Sequence, residues 1–123
     1  MKLMIVDDEE DVKFLYEQKF RRERRKGEVE LEFAFSASEA IKHLEQNGTS
    51  DITLVLSDIN MPGVSGLELL RILKDKYDPI KVFMVTAYED SDNYNKAMEY
   101  GAADYLTKPI DFDSLKERIM KLV

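Results

Sequence analysis

Five polar side chains in this chain each close a short apolar run. Asp7 and Asp8 follow Leu3-Met4-Ile5-Val6, and Asp58 ends Leu54-Val55-Leu56-Ser57. Thr86 ends Val82-Phe83-Met84-Val85, and Lys108 follows Tyr105-Leu106-Thr107. Singly, each has an ordinary use: an acid in a turn, a residue closing a strand, a surface lysine. Brought to one place they would do chemistry. Three gathered carboxylates repel, so either some take up protons or a divalent cation neutralises them. The donors are all oxygens, without histidine or cysteine, which favours a hard ion such as Mg²⁺ over zinc. A backbone carbonyl just past Asp58 could add a ligand. An ammonium from Lys108 and a hydroxyl from Thr86 would then favour an anion on the metal, such as a phosphoryl group. Phosphoryl transfer needs an in-line nucleophile and charge compensation, which Asp58 and the Mg²⁺–Lys108 pair would supply.

The elements between these residues decide whether they meet. Leu3–Val6 is β-prone and buried in type, and a helix follows with Val12, Leu15, Tyr16 and Phe20 at helical spacing. That helix is expected to run on through Arg21, Arg22, Arg24, Arg25 and Lys26 to Gly27, cations suiting its last turn. Glu30 to Phe35 begins by alternating acid with apolar, as a strand near a sheet edge does. Ser36-x-x-Glu39 is a capping box for a helix burying Ala40, Ile41 and Leu44 and ending at Asn47-Gly48. Strand three runs to Asp58, with Pro62 and Gly63 turning the chain. Ser65-x-x-Glu68 opens the next helix, which stops before Pro79. After strand four, Ala97, Met98 and Tyr100 suggest a short helix before Gly101. The last helix begins near Asp111, with Ile110 and Leu115 spaced as a hydrophobic staple. Five strand–helix repeats without a hairpin signal predict an α/β fold with a parallel sheet and right-handed crossovers. All five polar residues then lie at the carboxyl edge, where such sheets bind ligands.

Composition narrows the function. The 123 residues suit one domain, 1–123. The longest apolar runs are too short for a bilayer, so no membrane association is expected. There is no cysteine, hence no disulfide framework, in agreement with a cytoplasmic location. A net charge of −7 argues against nonspecific nucleic-acid binding and for a cation or a basic partner surface. The Arg21–Lys26 run reads as a solvated helix end, with a docking surface or nucleic-acid contact as the alternatives. His43, between Lys42 and Glu45, reads as a solvated helix residue.

At Ile5-Val6-Asp7-Asp8-Glu9, Asp58-Ile59-Asn60-Met61-Pro62 with Gly66, Thr86-Ala87 and Gly101-Ala102-Ala103-Asp104-Tyr105-Leu106-Thr107-Lys108-Pro109, the chain resembles a response-regulator receiver domain of the two-component, chemotaxis-regulator type. The resemblance covers essentially the whole chain. It implies a flavodoxin-like sheet of order 2-1-3-4-5 with five helices. It also implies that Asp58 accepts phosphate from a sensor histidine kinase or phosphotransfer protein. Asp8, Asp58 and the Asn60 carbonyl would bind Mg²⁺, with Asp7 assisting through water. Thr86 and Lys108 would hold phosphoryl oxygens, the Lys108–Pro109 bond would be cis, and Thr86 with Tyr105 would form the switch. Asn60 and Tyr88 would set the lifetime of the phosphorylated state.

By the same resemblance the output is a remodelled surface of the fourth helix, fifth strand and fifth helix, read by a protein partner or output domain. Phosphorylation-dependent homodimerisation through the helix-four to helix-five face belongs to the same expectation. If Val123 is the natural end, output is by protein contact. The domain would catalyse only its own phosphorylation and dephosphorylation. Two rivals stand beside this reading. A haloacid-dehalogenase-like phosphatase would need an acid where Asn60 stands, and a scaffold that never takes phosphate would not need all five polar residues.

Overall fold

The computed structural model describes residues 1–49, 51–77, 80–87 and 90–122. Five strands run β1 Lys2–Val6, β2 Glu30–Ala34, β3 Ile52–Asp58, β4 Lys81–Thr86 and β5 Asp104–Thr107. All pair in parallel, in the order β2-β1-β3-β4-β5. Between and after them lie α1 Asp11–Lys19, α2 Arg21–Arg25, α3 Ala37–Asn47, α4 Gly66–Tyr77, α5 Ser91–Glu99 and α6 Phe112–Met120.

Two-residue alternation along each strand sorts the core into two layers. Leu3, Ile5, Leu54, Leu56, Phe83, Val85 and Leu106 pack with Tyr16 and Phe20 of the first helical segment and with Phe112, Leu115 and Ile119 of α6. Met4, Val6, Val55, Val82 and Met84 face the other way, onto Ala40 and Leu44 of α3, Leu69, Leu70 and Leu73 of α4 and Ala97 of α5. The outer strand β2 is only partly covered, as its alternating acids predicted.

Six helices, not five, are present among the described residues. The expected first helix is broken at Phe20, whose backbone leaves helical geometry (φ −101°, ψ 15°). The helical ladder still bridges the break, from Phe20 N–H to Tyr16 O and from Arg24 N–H to Phe20 O. The cause lies in packing. The Phe20 ring is buried, stacked on Tyr16 and edge-on to Phe112, whereas Arg-Arg-Glu-Arg-Arg beyond it buries nothing. Gly27 then ends the segment at φ 73°, a left-handed conformation that glycine adopts without a Cβ penalty.

One of the two expected capping boxes forms in full and the other in part. Ser36 Oγ accepts the Glu39 N–H at 3.1 Å, while the Glu39 carboxylate reaches back to the Phe35 N–H at 2.9 Å. Ser65 Oγ accepts the Glu68 N–H at 3.2 Å, but the Glu68 carboxylate pairs forward with Arg71, so only half of that box forms. Asp111 caps α6, and the flanking Ile110 packs on the cluster that holds Leu115.

Candidate phosphoacceptor site

Register puts the five polar residues at one sheet edge. Val6 lies opposite Ser57, Asp58 opposite Val85, and Thr86 opposite Thr107, so Asp7 and Lys108 each extend one residue beyond a paired position. Alternation assigns Asp7, Asp58 and Lys108 to the α1/α6 face and Thr86 to the α3–α5 face.

Each buried acid is anchored by a backbone N–H two residues further on. Asp7 Oδ1 accepts the Glu9 N–H at 2.9 Å, and Asp58 Oδ1 accepts the Asn60 N–H at 3.3 Å. Their other oxygens share one cation: Lys108 Nζ lies 3.0 Å from Asp7 Oδ2 and 3.3 Å from Asp58 Oδ2. Asp7 and Asp58 are only 6% and 7% exposed, while Asp8 faces solvent. One oxygen from each of Asp7, Asp8 and Asp58 lies within 4.8 Å of the other two, a hard all-oxygen group that fits Mg²⁺.

Burial pushes the Asp58 carboxyl above the usual carboxylate range; Lys108 opposes this and Asp7 reinforces it. Lys108 is held above the usual lysine range, because the bonds and charges of Asp7 and Asp58 outweigh its own partial desolvation. The directions agree: one ammonium serves two buried carboxylates, so the lysine gains charge stabilisation while Asp58 resists ionising. Beside these groups a cleft of about 780 Å³ opens between α1 and the start of α6, reaching from Val12, Tyr16 and Phe112 to Asp7, Asp58 and Lys108. Tyr16 sits there 2% exposed, its phenol kept protonated by burial and by Asp7 and Asp58.

A carboxyl raised in the folded state opposes folding once ionised. That cost is absent below its unfolded pKa and complete above its folded one. Asp58→Asn is therefore expected to stabilise the metal-free domain at neutral pH by on the order of 1 kcal/mol. The gain should vanish as pH falls into the carboxylate range. Urea midpoints at both ends of that range check it, and a variant less stable at pH 7 would contradict it.

The remaining residues are placed as follows. Asn60 is exposed, two residues past Asp58. Thr86 is fully buried, and its carbonyl accepts the Lys108 N–H at 2.7 Å, tying the end of β4 to the lysine. The Lys108–Pro109 bond is cis. Tyr105 packs edge-on to Tyr94 of α5, with ring centroids 5.3 Å apart. Tyr88 lies outside the described residues.

Sequence reading missed the part played by Gly66, although Gly66 stood within the motif that carried the resemblance. A Cβ there would lie 1.9 Å from the Asp58 carbonyl oxygen, 2.7 Å from its carbon and 2.8 Å from Ile59 Cα. Helix α4 thus starts directly against the Asp58–Ile59 peptide. The spacing to Asp58 is the available signal, but only the contact explains it.

Comparison with known proteins places this arrangement. The family model for the response regulator receiver domain matches residues 3–120. Sporulation initiation phosphotransferase F of Bacillus subtilis is 29% identical over 98% of this chain and 91% of its own length. The DNA-binding transcriptional regulator NtrC of Proteus hauseri is 36% identical over 89% of this chain, which spans only 22% of that protein. Among solved structures, the response regulator TrrA of Thermotoga maritima in complex with Mg²⁺-BeF aligns with a TM-score of 0.82 at 30% identity. That alignment covers 99% of this chain and 98% of the other. The chain belongs to the response regulator receiver domain family, whose members are the phosphoacceptor modules of two-component phosphorelays.

Proposed function

We propose that residues 1–123 act as one receiver domain in which Asp58 takes a phosphoryl group from a phosphohistidine donor, a sensor histidine kinase or a phosphotransfer protein. The observation that carries this is the shared ammonium. Lys108 Nζ bridges Asp58 to Asp7 within 3.3 Å at the carboxyl edge of the sheet, and both of these carboxylates are buried. An Asp58 oxygen attacks phosphorus, a P–O bond forms, and the P–N bond to the donor imidazole breaks, leaving the electron pair on nitrogen. Lys108 is already charged and aimed where the equatorial oxygens gather charge, so little reorganisation is needed. Mg²⁺ bound by Asp8, Asp58 and the Asn60 carbonyl, with Asp7 assisting, would supply further charge compensation to those oxygens. The hydroxyl of Thr86 and the ring of Tyr105 then carry the change to the surface of α5, β5 and α6.

The downstream reader of that surface is a protein partner or an output domain, and the acidic net charge supports protein over nucleic acid. A phosphorylation-dependent homodimer would use the same surface. We place the domain in the cytoplasm. Among the described residues no helix is long and apolar enough to cross a membrane. Its catalysis would be limited to its own phosphorylation and dephosphorylation.

The test is direct. Incubation with Mg²⁺ and phosphoramidate should raise the intact mass by one phosphoryl group in the native chain and not in Asp58→Ala. An unchanged native mass would overturn the reading. Asn60, beside the acceptor, is expected to set the lifetime of the product. Asn60→Ala should change the dephosphorylation rate several-fold, and identical decay curves would remove that role.

A further inference from the structure

Leu54, Val55 and Leu56 precede the acceptor in β3, each essentially inaccessible, and Ser57 continues that run with 0% exposure. By alternation it belongs with Val55, on the apolar layer beneath α3, α4 and α5. A hydroxyl buried there is unfavourable unless it is bonded. The Ser57 Oγ donates to the carbonyl oxygen of Asp58 itself, at 3.0 Å. The other polar atom of the same peptide, the Ile59 N–H, donates to the Val85 carbonyl at 3.0 Å. The Ile59 carbonyl accepts the Gly66 N–H at 2.9 Å, and Gly66 sits so close to the Asp58 carbonyl that a side chain there would collide with it. Both edges of the Asp58–Ile59 peptide are therefore pinned, one by a side chain and one by β4. The Asp58 carboxylate is tied to the same turn through the Asn60 N–H.

We propose that Ser57 is a positioning residue for phosphoryl transfer, its hydroxyl fixing the Asp58–Ile59 peptide plane so that the Asp58 carboxylate and the Asn60 carbonyl keep one mutual orientation. This rests on the reading of Asp58 as acceptor. An alanine at 57 would be buried equally well and would leave that plane held only through β4 and Gly66. The turn could then tilt, and both groups offered to metal and phosphorus would tilt with it. Loss of orientation falls on the rate of transfer, because alignment of the nucleophile is what the site contributes before the chemistry.

The test compares Ser57→Ala with Val55→Ala, a truncation in the same strand and on the same face that removes none of the hydrogen bonds just described. Phosphorylation by phosphoramidate is followed by intact mass at saturating Mg²⁺. Half-saturation by Mg²⁺ and urea midpoints are measured in parallel. Ser57→Ala is expected to slow uptake about tenfold and raise the Mg²⁺ half-saturation about threefold. Val55→Ala should lose stability while keeping the native rate in its folded fraction. Ser57→Cys, close in size and a weak donor, should fall between serine and alanine. A native rate in Ser57→Ala overturns the proposal, and so does a slowing no greater than that of Val55→Ala, or a cysteine variant slower than alanine. If the native chain itself takes no phosphate, the acceptor reading fails and this one with it. That outcome is distinct from a native chain that reacts alongside an equally fast Ser57→Ala.

Discussion

Gly66→Ala is expected to destabilise the domain by about 3 kcal/mol or more, a larger loss than that from most core truncations of similar size. The added methyl would meet three backbone atoms, all under 3.0 Å away and none able to rotate aside. Either α4 must slide away from the sheet or the peptide after Asp58 must shift. The first opens the layer where Leu69, Leu70 and Leu73 are fully buried. The second breaks the bond from Gly66 N–H to the Ile59 carbonyl and turns Asn60 away from the carboxylates. Mg²⁺ affinity should therefore fall together with the urea midpoint. Gly63→Ala gives a contrast: nothing lies within 4 Å of a Cβ there, so its cost is limited to the strain of φ 77°. Equal midpoints for Gly66→Ala and the native chain would show that the contact relaxes without cost.

Lys108→Met is expected to have the largest effect on chemistry. Among the described residues Lys108 is the one cation paired with Asp7 and Asp58. Removing it leaves two carboxylates, each over nine-tenths buried, facing one another. Without metal the domain should lose about 2 kcal/mol at neutral pH, below the usual range for a broken buried pair because the lysine is a quarter exposed. Asp58, whose carboxyl is already pushed upward by burial, can relieve the repulsion by taking up a proton, so the loss should shrink as the solution is acidified. The lysine itself is held charged beyond its ordinary range, so its contribution is complete at neutral pH and disappears only in strong alkali. Mg²⁺ should restore more stability to Lys108→Met than it adds to the native chain, because a divalent cation replaces the missing charge. Transfer should not recover with it. Loss of one donor aimed at developing charge typically costs about a hundredfold in rate, and that loss should persist at saturating Mg²⁺. A variant that takes phosphate at the native rate would remove Lys108 from the mechanism.

These two residues show where reading from sequence succeeds and where it stops. Lys108 was legible as a cation closing a strand, because a short apolar run followed by a polar residue is a local pattern. The parallel sheet put it at one edge with Asp7 and Asp58, but the bonds by which it bridges them were not legible, since those partners lie 101 and 50 residues away. Phe20 shows the limit for local structure. Its spacing from Tyr16 is helical and the ladder is kept, yet the backbone departs from helical geometry at the residue whose ring seats on Phe112, ninety-two positions later in the chain.

The sequence by itself determined the strand–helix alternation, the parallel sheet, the helix caps and the presence of acids, threonine and lysine at strand ends. Each of these is set by periods of two and 3.6 residues and by side chains bonding their own turn. Tertiary structure alone decided that Asp7, Asp58 and Lys108 share the α1/α6 face while Thr86 takes the other, because strand register and the side-chain alternation it aligns belong to the whole sheet. It also decided that Gly66 must lack a side chain and that the hydroxyl of Ser57 ends on the carbonyl of Asp58. Both depend on how closely α4 is drawn against the end of β3, a distance set by the packing of the whole layer rather than by any local run of residues.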